Sequence, residues 1–414
     1  MSEAARGGPA ASGAPERLAR AAVVCLCVAM PVTMAIANKS APALLGAGAA
    51  LALMSLALAG GLADAARRLK ILLLRPHALS LIACGVLCAA SLAWSIDTAM
   101  TLRGFIEGAP VALCAVAFAA CAPAVTRRRD MLLLAAGLAL AAGLILFENY
   151  SGEALHRLVG ARAMDIEEKR SALFIGALLW PALAVFAAKT RYGPAAALFG
   201  AAVLAAAAGH SGAALFGLGA GGVVYGLALI GPRFTLGLTA LCAAAALLSA
   251  PWQGAGLARV MTPNMEAVLA QVHAAHRIAI WSEFGRRIWE EPLRGRGFNT
   301  SQSLYRAAVA QTDAQADRLI EKIHPHNIYI QIWTELGALG VAFAGLFGAA
   351  LYRAMLSLPR SALAPRLALT AYVAAVGLVS HSLWQPWWLA AIAASCIFMR
   401  MGAAETPEIK EARL

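Results

Sequence analysis

The sequence predicts an all-α integral membrane protein with about twelve transmembrane helices and one large loop. Of its 414 residues, 61% are hydrophobic and only 14% are charged, well below the roughly 25% that is usual in soluble domains. The hydrophobic residues are gathered into runs of about 20, the length that an α-helix needs to cross roughly 30 Å of hydrocarbon. Short polar segments separate these runs, and one longer polar segment lies late in the chain.

The apolar runs divide the chain into five parts. The predicted transmembrane helices lie at 19–37, 41–62, 71–94, 101–122, 131–148, 171–188, 194–209, 212–230, 233–250, 327–351, 363–380 and 386–402, of which the seventh is marginal. The parts are therefore a tail at 1–18, nine helices within 19–250, a large loop at 251–325, three helices within 326–402 and a tail at 403–414. The first run resembles a signal peptide, but because further spans follow it we expect it to remain as a helix.

The distribution of Lys and Arg predicts the orientation. With the N-terminus inside, the short cytoplasmic segments hold roughly three times as many Lys and Arg as the short outer loops. Both termini are therefore predicted to be cytoplasmic, and the large loop and most of the histidines fall on the outer side. The basic residues behind the net charge of +12 flank apolar runs, which indicates anionic membrane lipid as a partner and argues against nucleic acid.

Neither the cysteines nor the histidines predict a metal site. All eight cysteines lie in apolar runs without metal-ligand spacing, and we interpret them as small buried hydrophobic residues. His324 and His326 have a His-X-His spacing that zinc accepts, but no further His, Asp or Glu lies at a supporting position. No metal and no cofactor are predicted.

The most informative stretch is 324–340, HPHNIYIQIWTELGALG, where a histidine-rich turn leads directly into an apolar helix. A helix N-terminus exposes N–H groups and the positive end of the helix dipole, which favours an anion such as phosphate. His326 suits the role of general base, because imidazole titrates near neutral pH. The alternative is a structural turn shaped by His324 and Pro325, with Asn327 as a simple N-cap.

The large loop is predicted to contain an amphipathic helix followed by a turn. The segment 277–289, RIAIWSEFGRRIW, places apolar side chains, including Trp281, at helical spacing and indicates a helix at the membrane interface. The segment 293–299, LRGRGFN, is a glycine-punctuated turn that carries Arg294 and Arg296.

Basic residues on the outer side form a candidate diphosphate site. Guanidinium groups bind phosphate oxygens in pairs, and a departing diphosphate needs two or more cations. The candidates are Arg162, Lys169 and Arg170 before the sixth span, Arg277, Arg286, Arg287, Arg294 and Arg296 in the large loop, and then His324 and His326. The alternative is that such side chains only contact lipid headgroups, although the position of Arg170 at the rim of a span favours function.

Two short outer turns are weaker candidates. The turn at 209–212 carries His210, and the segment 381–388, HSLWQPWW, carries His381 and Gln385. We interpret the tryptophans as an aromatic belt at the membrane interface, with a sugar-stacking platform as the alternative, and both histidines as rim residues.

The segments 324–340 and 277–299 together resemble a known family. The first closely resembles the signature of the O-antigen ligase and O-antigen polymerase superfamily, in which His-X-His-Asn leads into a helix containing Gln, Glu-Leu-Gly and a final Gly. The second, with its Arg, Trp, Pro and Gly-X-Gly, resembles the large periplasmic loop of that family. The compact loop and the Trp-Gln-Pro-Trp-Trp ending favour the ligase branch.

The resemblance implies a metal-independent, inverting glycosyltransferase of the GT-C type in the bacterial inner membrane. Such a ligase transfers a glycan from undecaprenyl diphosphate to a sugar hydroxyl of lipid A-core during lipopolysaccharide assembly, at the periplasmic face. In this sequence, His326 matches the catalytic histidine, Arg277 the loop arginine before the tryptophan and Arg170 the basic residue before the sixth span. The further residues expected to bind diphosphate or glycan are Lys169, Arg162, Arg296, Arg294, His324, Asn327, His210, Trp281 and Gln385.

One departure from the family and two alternative functions stand beside this expectation. Many members carry Ser-Arg in the turn where this chain has His210, Ser211 and Gly212, so His210 or another arginine would replace the missing cation. A polymerase that joins repeat units on the same carrier lipid would share the donor site. A transporter of polyisoprenoid-linked glycan is less favoured, because the chain shows no internal repeat.

Overall fold

The computed structural model describes residues 13–158, 160, 168–187, 191–265, 274–304 and 324–402, and the described residues form helices without any strand. Among them, ten helices are long and apolar enough to cross a membrane, and two shorter apolar helices lie at Tyr192–Ala208 and Pro386–Met401. The predicted fold class, an all-α integral membrane protein, is confirmed. The count of twelve spans and the GT-C architecture stay predictions.

We number the helices in chain order. They are α1 (Ala14–Ile36), α2 (Ala41–Leu58), α3 (Leu62–Leu73), α4 (Pro76–Ala90), α5 (Thr98–Val125), α6 (Met131–Ser151), α7 (Ala154–Leu158), α8 (Glu168–Ala187), α9 (Tyr192–Ala208), α10 (Gly212–Ile230), α11 (Pro232–Val260), α12 (Ala274–Ile288), α13 (Ile328–Leu356), α14 (Arg360–Val379) and α15 (Pro386–Gly402).

Helix α8 lies at the centre of the bundle. Its side chains from Ser171 to Phe186 are all buried, because α1, α6, α9, α14 and α15 pack around it. An apolar helix that is buried on every face has few alternative positions. Lys169 and Arg170, at its N-terminal end, are therefore held at a defined place at one end of the bundle.

The predicted third span is divided in two by Pro76. The expected span was 71–94, whereas α3 ends at Leu73 and α4 begins at Pro76. Arg75 is extended, with φ −69° and ψ 143°, because the proline ring disfavours a helical conformation of the residue before it. The expected start at 71 is wrong, and α3 is a separate amphipathic helix.

Helix α11 continues through Pro251 to Val260, so its expected end at residue 250 is wrong. Pro251 has no N–H, and the carbonyl of Leu247 therefore lacks its usual helical donor. The indole N–H of Trp333 in α13 donates to this carbonyl at 2.8 Å. A side chain from a distant helix thus replaces the missing hydrogen bond, which local sequence does not reveal.

Helix α12 packs its apolar face on protein. Its apolar face joins residues of α11 and α13 in one hydrophobic cluster. The buried residues of this face are Ile278, Ile280, Phe284 and Ile288. A Cβ on Gly254 of α11 would lie 2.1 Å from the backbone N of Ser282, so the two helices touch through their backbones. The expected amphipathic helix is confirmed, its apolar face is covered by protein, and its position at the membrane interface stays a prediction.

Helix α13 is broken at Gly337, whose φ of 60° and ψ of −157° lie outside the helical region. Glycine adopts this conformation without the steric cost of a Cβ. The break exposes backbone groups that the loop segment 292–297 binds through four hydrogen bonds. They run from Arg296 N–H to Thr334 O (3.0 Å), Gly297 N–H to Glu335 O (2.9 Å), Ala338 N–H to Pro292 O (2.8 Å) and Leu339 N–H to Leu293 O (3.1 Å). The loop is thereby attached to the helix that follows the histidine turn.

The cysteines are all free thiols, but only some of them are buried. Cys27, Cys88 and Cys121 are buried, whereas Cys242 and Cys396 are exposed on the bundle surface. The interpretation as buried hydrophobic residues is therefore wrong for those two.

Candidate functional site

The site is built around the start of α13, where Asn327 is the N-cap. Its side-chain oxygen accepts hydrogen bonds from the N–H groups of Tyr329 at 3.0 Å and Ile330 at 3.2 Å. Its side-chain nitrogen donates to Gln253 Oε1 of α11 at 2.8 Å. The expected cap is confirmed. Both ends of the amide are engaged, so Asn327 fixes the turn before it.

His326 occupies a strained turn that is held from two sides. Its φ of 48° is in the left-handed region, which costs a non-glycine residue roughly 1–3 kcal/mol. Its backbone N–H donates to Nδ1 of His324 at 3.2 Å. Trp281 of α12 donates its indole N–H to the carbonyl of Pro325 at 2.8 Å. Trp281, expected to bind substrate, thus clamps the turn that presents His326.

His324 is buried and neutral. Burial lowers its pKa well below the usual value, and the positive or ionisable neighbours His326, His381, Arg170 and Arg277 lower it further. Its Nδ1 accepts the His326 N–H, which requires that this nitrogen carry no proton. The electrostatic environment and the hydrogen bond therefore both favour the neutral imidazole.

His381 is a third imidazole of this site, which the sequence had suggested only as a rim residue. Its ring centroid is 6.5 Å from that of His324, and the ring of Trp387 stands edge-on to it at 5.2 Å. His324 and His326 themselves have centroids 4.1 Å apart. We call His324, His326 and His381 the histidine cluster, and the end of the bundle that contains it the histidine end.

Three of the expected cations act on the histidine cluster. Burial lowers the pKa of His381 to about 3, and Arg170, His326, Arg277 and Lys169 lower it further in that order. Arg170 and Arg277 also lower the pKa of His324. Arg170 donates from Nη1 to Asn38 Oδ1 at 3.4 Å, and burial lowers the pKa of Arg277 itself. Cations from α8 and α12 are thus brought to imidazoles that lie far away in the chain.

Arg294 and Arg296 have a different environment. Arg296 Nη2 lies 2.6 Å from Glu290 Oε2, and Arg294 Nε lies 3.5 Å from Glu291 Oε2. Their loop also pairs with α13 through its backbone. These contacts give the two arginines a structural role within the loop. Binding of diphosphate by them stays a prediction.

The remaining expected residues lie around the histidine end or outside the described residues. His210 is exposed, with φ 50°, and its turn contacts α8 through a hydrogen bond from Ser211 Oγ to the carbonyl of Lys169 at 3.4 Å. Gln385 accepts the indole N–H of Trp387 at 2.5 Å. Arg162 lies outside the described residues.

The tryptophans of the last turn do not form the expected aromatic belt. Trp387 and Trp388 are only 3% and 2% exposed, because they pack into the main hydrophobic core. Trp387 instead contacts His381, so it supports the histidine cluster.

Glu335 is the residue that sequence reasoning missed most clearly. It lies in α13 two residues before the break and is fully buried. The signal was present, since an ionisable residue inside an apolar span is costly without partners and marks a site by default. In the sequence, the Glu-Leu-Gly that contains Glu335 indicated only the resemblance to the family, and no role was predicted for the carboxyl group.

The arrangement combines a proton acceptor with a cationic environment. An uncharged imidazole can take a proton from a hydroxyl group, and Lys169, Arg170 and Arg277 provide positive charge where an anion would bind. Such a set suits group transfer from a phosphate-activated donor.

Comparison with known proteins agrees with this reading. A sequence model of a family described as O-antigen ligase matches residues 195–352, a stretch that contains Arg277 and the histidine turn. A Rickettsia bellii (strain RML369-C) protein named "Putative polysaccharide ligase" is 26% identical over 273 residues, which cover 63% of this chain and 64% of the relative. A Rickettsia prowazekii (strain Madrid E) protein, "Putative polysaccharide ligase RP358", is 31% identical over 126 residues, 29% of this chain and 30% of the relative. The chain thus covers less than two thirds of either relative. These matches confirm the expected resemblance to the O-antigen ligase superfamily.

Proposed function

We propose that this protein transfers a glycan from undecaprenyl diphosphate to a sugar hydroxyl of lipid A-core, with inversion and without a metal ion. The observation that carries the proposal is the position of His326, in a strained turn beside His324 and in a cluster whose other two imidazoles feel the charges of nearby arginines. The similarity to an O-antigen ligase family and to polysaccharide ligases supports it.

The chemical step needs one proton acceptor and several cations. The hydroxyl oxygen of the acceptor forms a bond to the anomeric carbon, while the bond from that carbon to the diphosphate oxygen breaks and its electron pair leaves with the diphosphate. His326 takes the hydroxyl proton. Arg170, Arg277 and Lys169 stabilise the charge that develops on the departing oxygen. His324 and His381 stay neutral, since their pKa values are far below their usual range.

The location of the reaction is part of the same proposal. The distribution of Lys and Arg favours cytoplasmic termini. The histidine end then faces the periplasm from the inner membrane of the bacterium, where undecaprenyl-diphosphate-linked glycan and lipid A-core would both reach it. Anionic lipid would surround the basic ends of the helices.

The test is transfer by the purified protein in a lipid bilayer. Wild type is given undecaprenyl-diphosphate glycan and lipid A-core, and His326→Ala is compared with His77→Ala, a matched variant in the first turn of α4. We expect His326→Ala to be slower by about 10²–10⁴ and His77→Ala to keep the wild-type rate. Equal rates of wild type and His326→Ala would exclude the general base.

The same assay separates the ligase from a polymerase. A polymerase would lengthen the glycan on the carrier lipid and leave lipid A-core unmodified. The Trp-Gln-Pro-Trp-Trp segment and the compact loop favour the ligase, so we expect the label of the donor to appear on lipid A-core.

A further inference from the structure

The Glu335 carboxylate is saturated with hydrogen-bond donors. Its two oxygens accept from Ser301 Oγ at 2.6 Å and Ser301 N–H at 3.3 Å, Asn299 N–H at 2.8 Å, Gln331 Nε2 at 3.0 Å and Trp384 Nε1 at 2.5 Å. A carboxylate offers about four lone-pair positions, so these donors occupy all of them. Glu335 therefore has no position left from which to exchange a proton with a substrate.

The donors come from three separate segments of the chain. Asn299 and Ser301 follow the glycine turn of the large loop, Gln331 belongs to the first turns of α13, and Trp384 lies between α14 and α15. The carboxylate is thus the common acceptor at which the large loop, the helix of the histidine turn and the last turn meet.

Gln331 extends this network to the neighbours of His381. Its Nε2 also donates to Ser382 Oγ at 2.8 Å, and its Oε1 accepts the N–H of Leu383 at 3.0 Å. Together with the indole of Trp384, these bonds hold the three residues that follow His381. The position of His381 beside His324 is therefore coupled to the Glu335 carboxylate.

The backbone of Glu335 holds the same loop as its side chain. The carbonyl of Glu335 accepts the N–H of Gly297 at 2.9 Å, which is possible because α13 breaks at Gly337. The loop segment 296–301 is thus bound by both the backbone and the side chain of Glu335. Fully satisfied networks of this kind rigidify and specify one arrangement.

Simple anchoring does not need a buried charge. Removing a carboxylate from water is costly, and well-packed apolar residues often hold elements together equally well. Glu335 is nevertheless buried, and it joins the segments around His326. We propose that Glu335 is a positioning residue for glycan transfer, which holds the turn of His381 and the end of the large loop against the helix of His326. The proposal rests on the proposed function.

The principal test compares Glu335→Gln with Asp130→Asn. Glutamine keeps the size of the side chain but turns an NH2 group toward donors. Asp130 is a matched control, because its carboxylate is also buried and accepts from Arg127 N–H and Arg20 Nη1, each at 2.7 Å, at the opposite end of the bundle. We expect Glu335→Gln to lower kcat by roughly tenfold or more, with the donor KM changed less than about threefold. Asp130→Asn should lower the unfolding temperature and keep kcat.

A second measurement does not depend on activity. Hydrogen exchange should rise in Glu335→Gln at residues 296–301 and 381–385, and stay unchanged in α8. If wild type proves inactive, the proposed function fails, yet this local change would still support the positioning role. A uniform rise over the whole chain, or none, would overturn it.

Two smaller substitutions serve if Glu335→Gln does not fold. Trp384→Phe removes one donor and Ser382→Ala removes the partner of Gln331, while the carboxylate stays in place. We expect each to lower kcat by a few-fold with exchange raised at 381–385. Wild-type kcat in both variants, or losses of kcat that follow the unfolding temperature equally in Asp130→Asn, would contradict the proposal.

Discussion

Two buried glutamates at the histidine end accept hydrogen bonds from different kinds of partner. Glu148 of α6 is fully buried and accepts from the N–H groups of Leu155 at 2.8 Å and His156 at 3.0 Å, and its carboxylate contacts the ring of His156. All of these partners lie within eight positions in the chain. Glu335 instead accepts from residues up to 49 positions away. A carboxylate with local partners closes its own turn, whereas one with distant partners fixes separate segments relative to each other, as a reaction site requires.

The largest expected difference separates His326 from His156. His326→Ala should lower kcat by about 10²–10⁴ with a small change in unfolding temperature, because its ring is only partly buried. His156→Ala leaves the buried Glu148 without its imidazole partner, which should cost about 1–3 kcal/mol of stability and keep kcat. Activity assays and thermal unfolding of both variants check this. Similar kcat losses in both would remove the contrast between the two regions.

The second difference concerns two arginines of α12. Arg277→Ala should raise the donor KM by roughly tenfold or more, since a charged hydrogen bond to phosphate contributes about 1.5–3 kcal/mol. Arg286, which is exposed and 2.8 Å from Glu283 Oε1, should be replaceable by Ala without a change in donor kinetics. Arg170→Ala should behave like Arg277→Ala. Measurement of the donor KM for the three Ala variants tests this prediction. An unchanged KM in Arg170→Ala would show that Arg170 does not bind the donor.

A third test sharpens the role assigned to His324. The side-chain oxygen of Asn can take the place of imidazole Nδ1, whereas that of Gln reaches the place of Nε2. His324→Asn should therefore keep the hydrogen bond to the N–H of His326 and most of kcat. His324→Gln should lose about 1 kcal/mol, or roughly fivefold in rate. The reverse order in a kcat comparison would show that Nε2 is the important atom.

The last expected effect concerns the pH dependence of stability and not the reaction itself. A histidine whose pKa falls from 6.5 to about 3 on folding stabilises the native state fully above pH 6.5, and this contribution is lost as the pH falls toward 3 because the unfolded chain binds the proton first. His381 should thus contribute a slope of up to about 1.4 kcal/mol per pH unit below pH 6.5. Unfolding of wild type and His381→Asn between pH 8 and pH 5 measures it. If the free energies of unfolding of wild type and His381→Asn changed equally with pH, the low pKa of His381 would be contradicted.

Much of the site was visible in local pattern. The cap formed by Asn327 and the turn that contains His326 follow from residues adjacent in sequence, and Lys169 and Arg170 were recognised at the rim of a span. His381 was read as a rim residue, because nothing near it in sequence indicates that α14 and α15 bring it to His324. The position of Glu335 inside an apolar span marks it as unusual, but its partners could not be predicted, since four of its five hydrogen bonds come from residues 34 to 49 positions away.

The sequence by itself determined the helical membrane fold, the approximate spans and the resemblance to a family. These depend on hydropathy over windows of about 20 residues and on short motifs, both of which are local properties. Only the tertiary structure decided that α11 passes through Pro251, that α12 packs on protein, and that α13 breaks at Gly337 to bind the loop. In each case a backbone or side-chain group from a distant segment completes a hydrogen bond or an apolar contact, and satisfaction of buried polar groups overrides local preference.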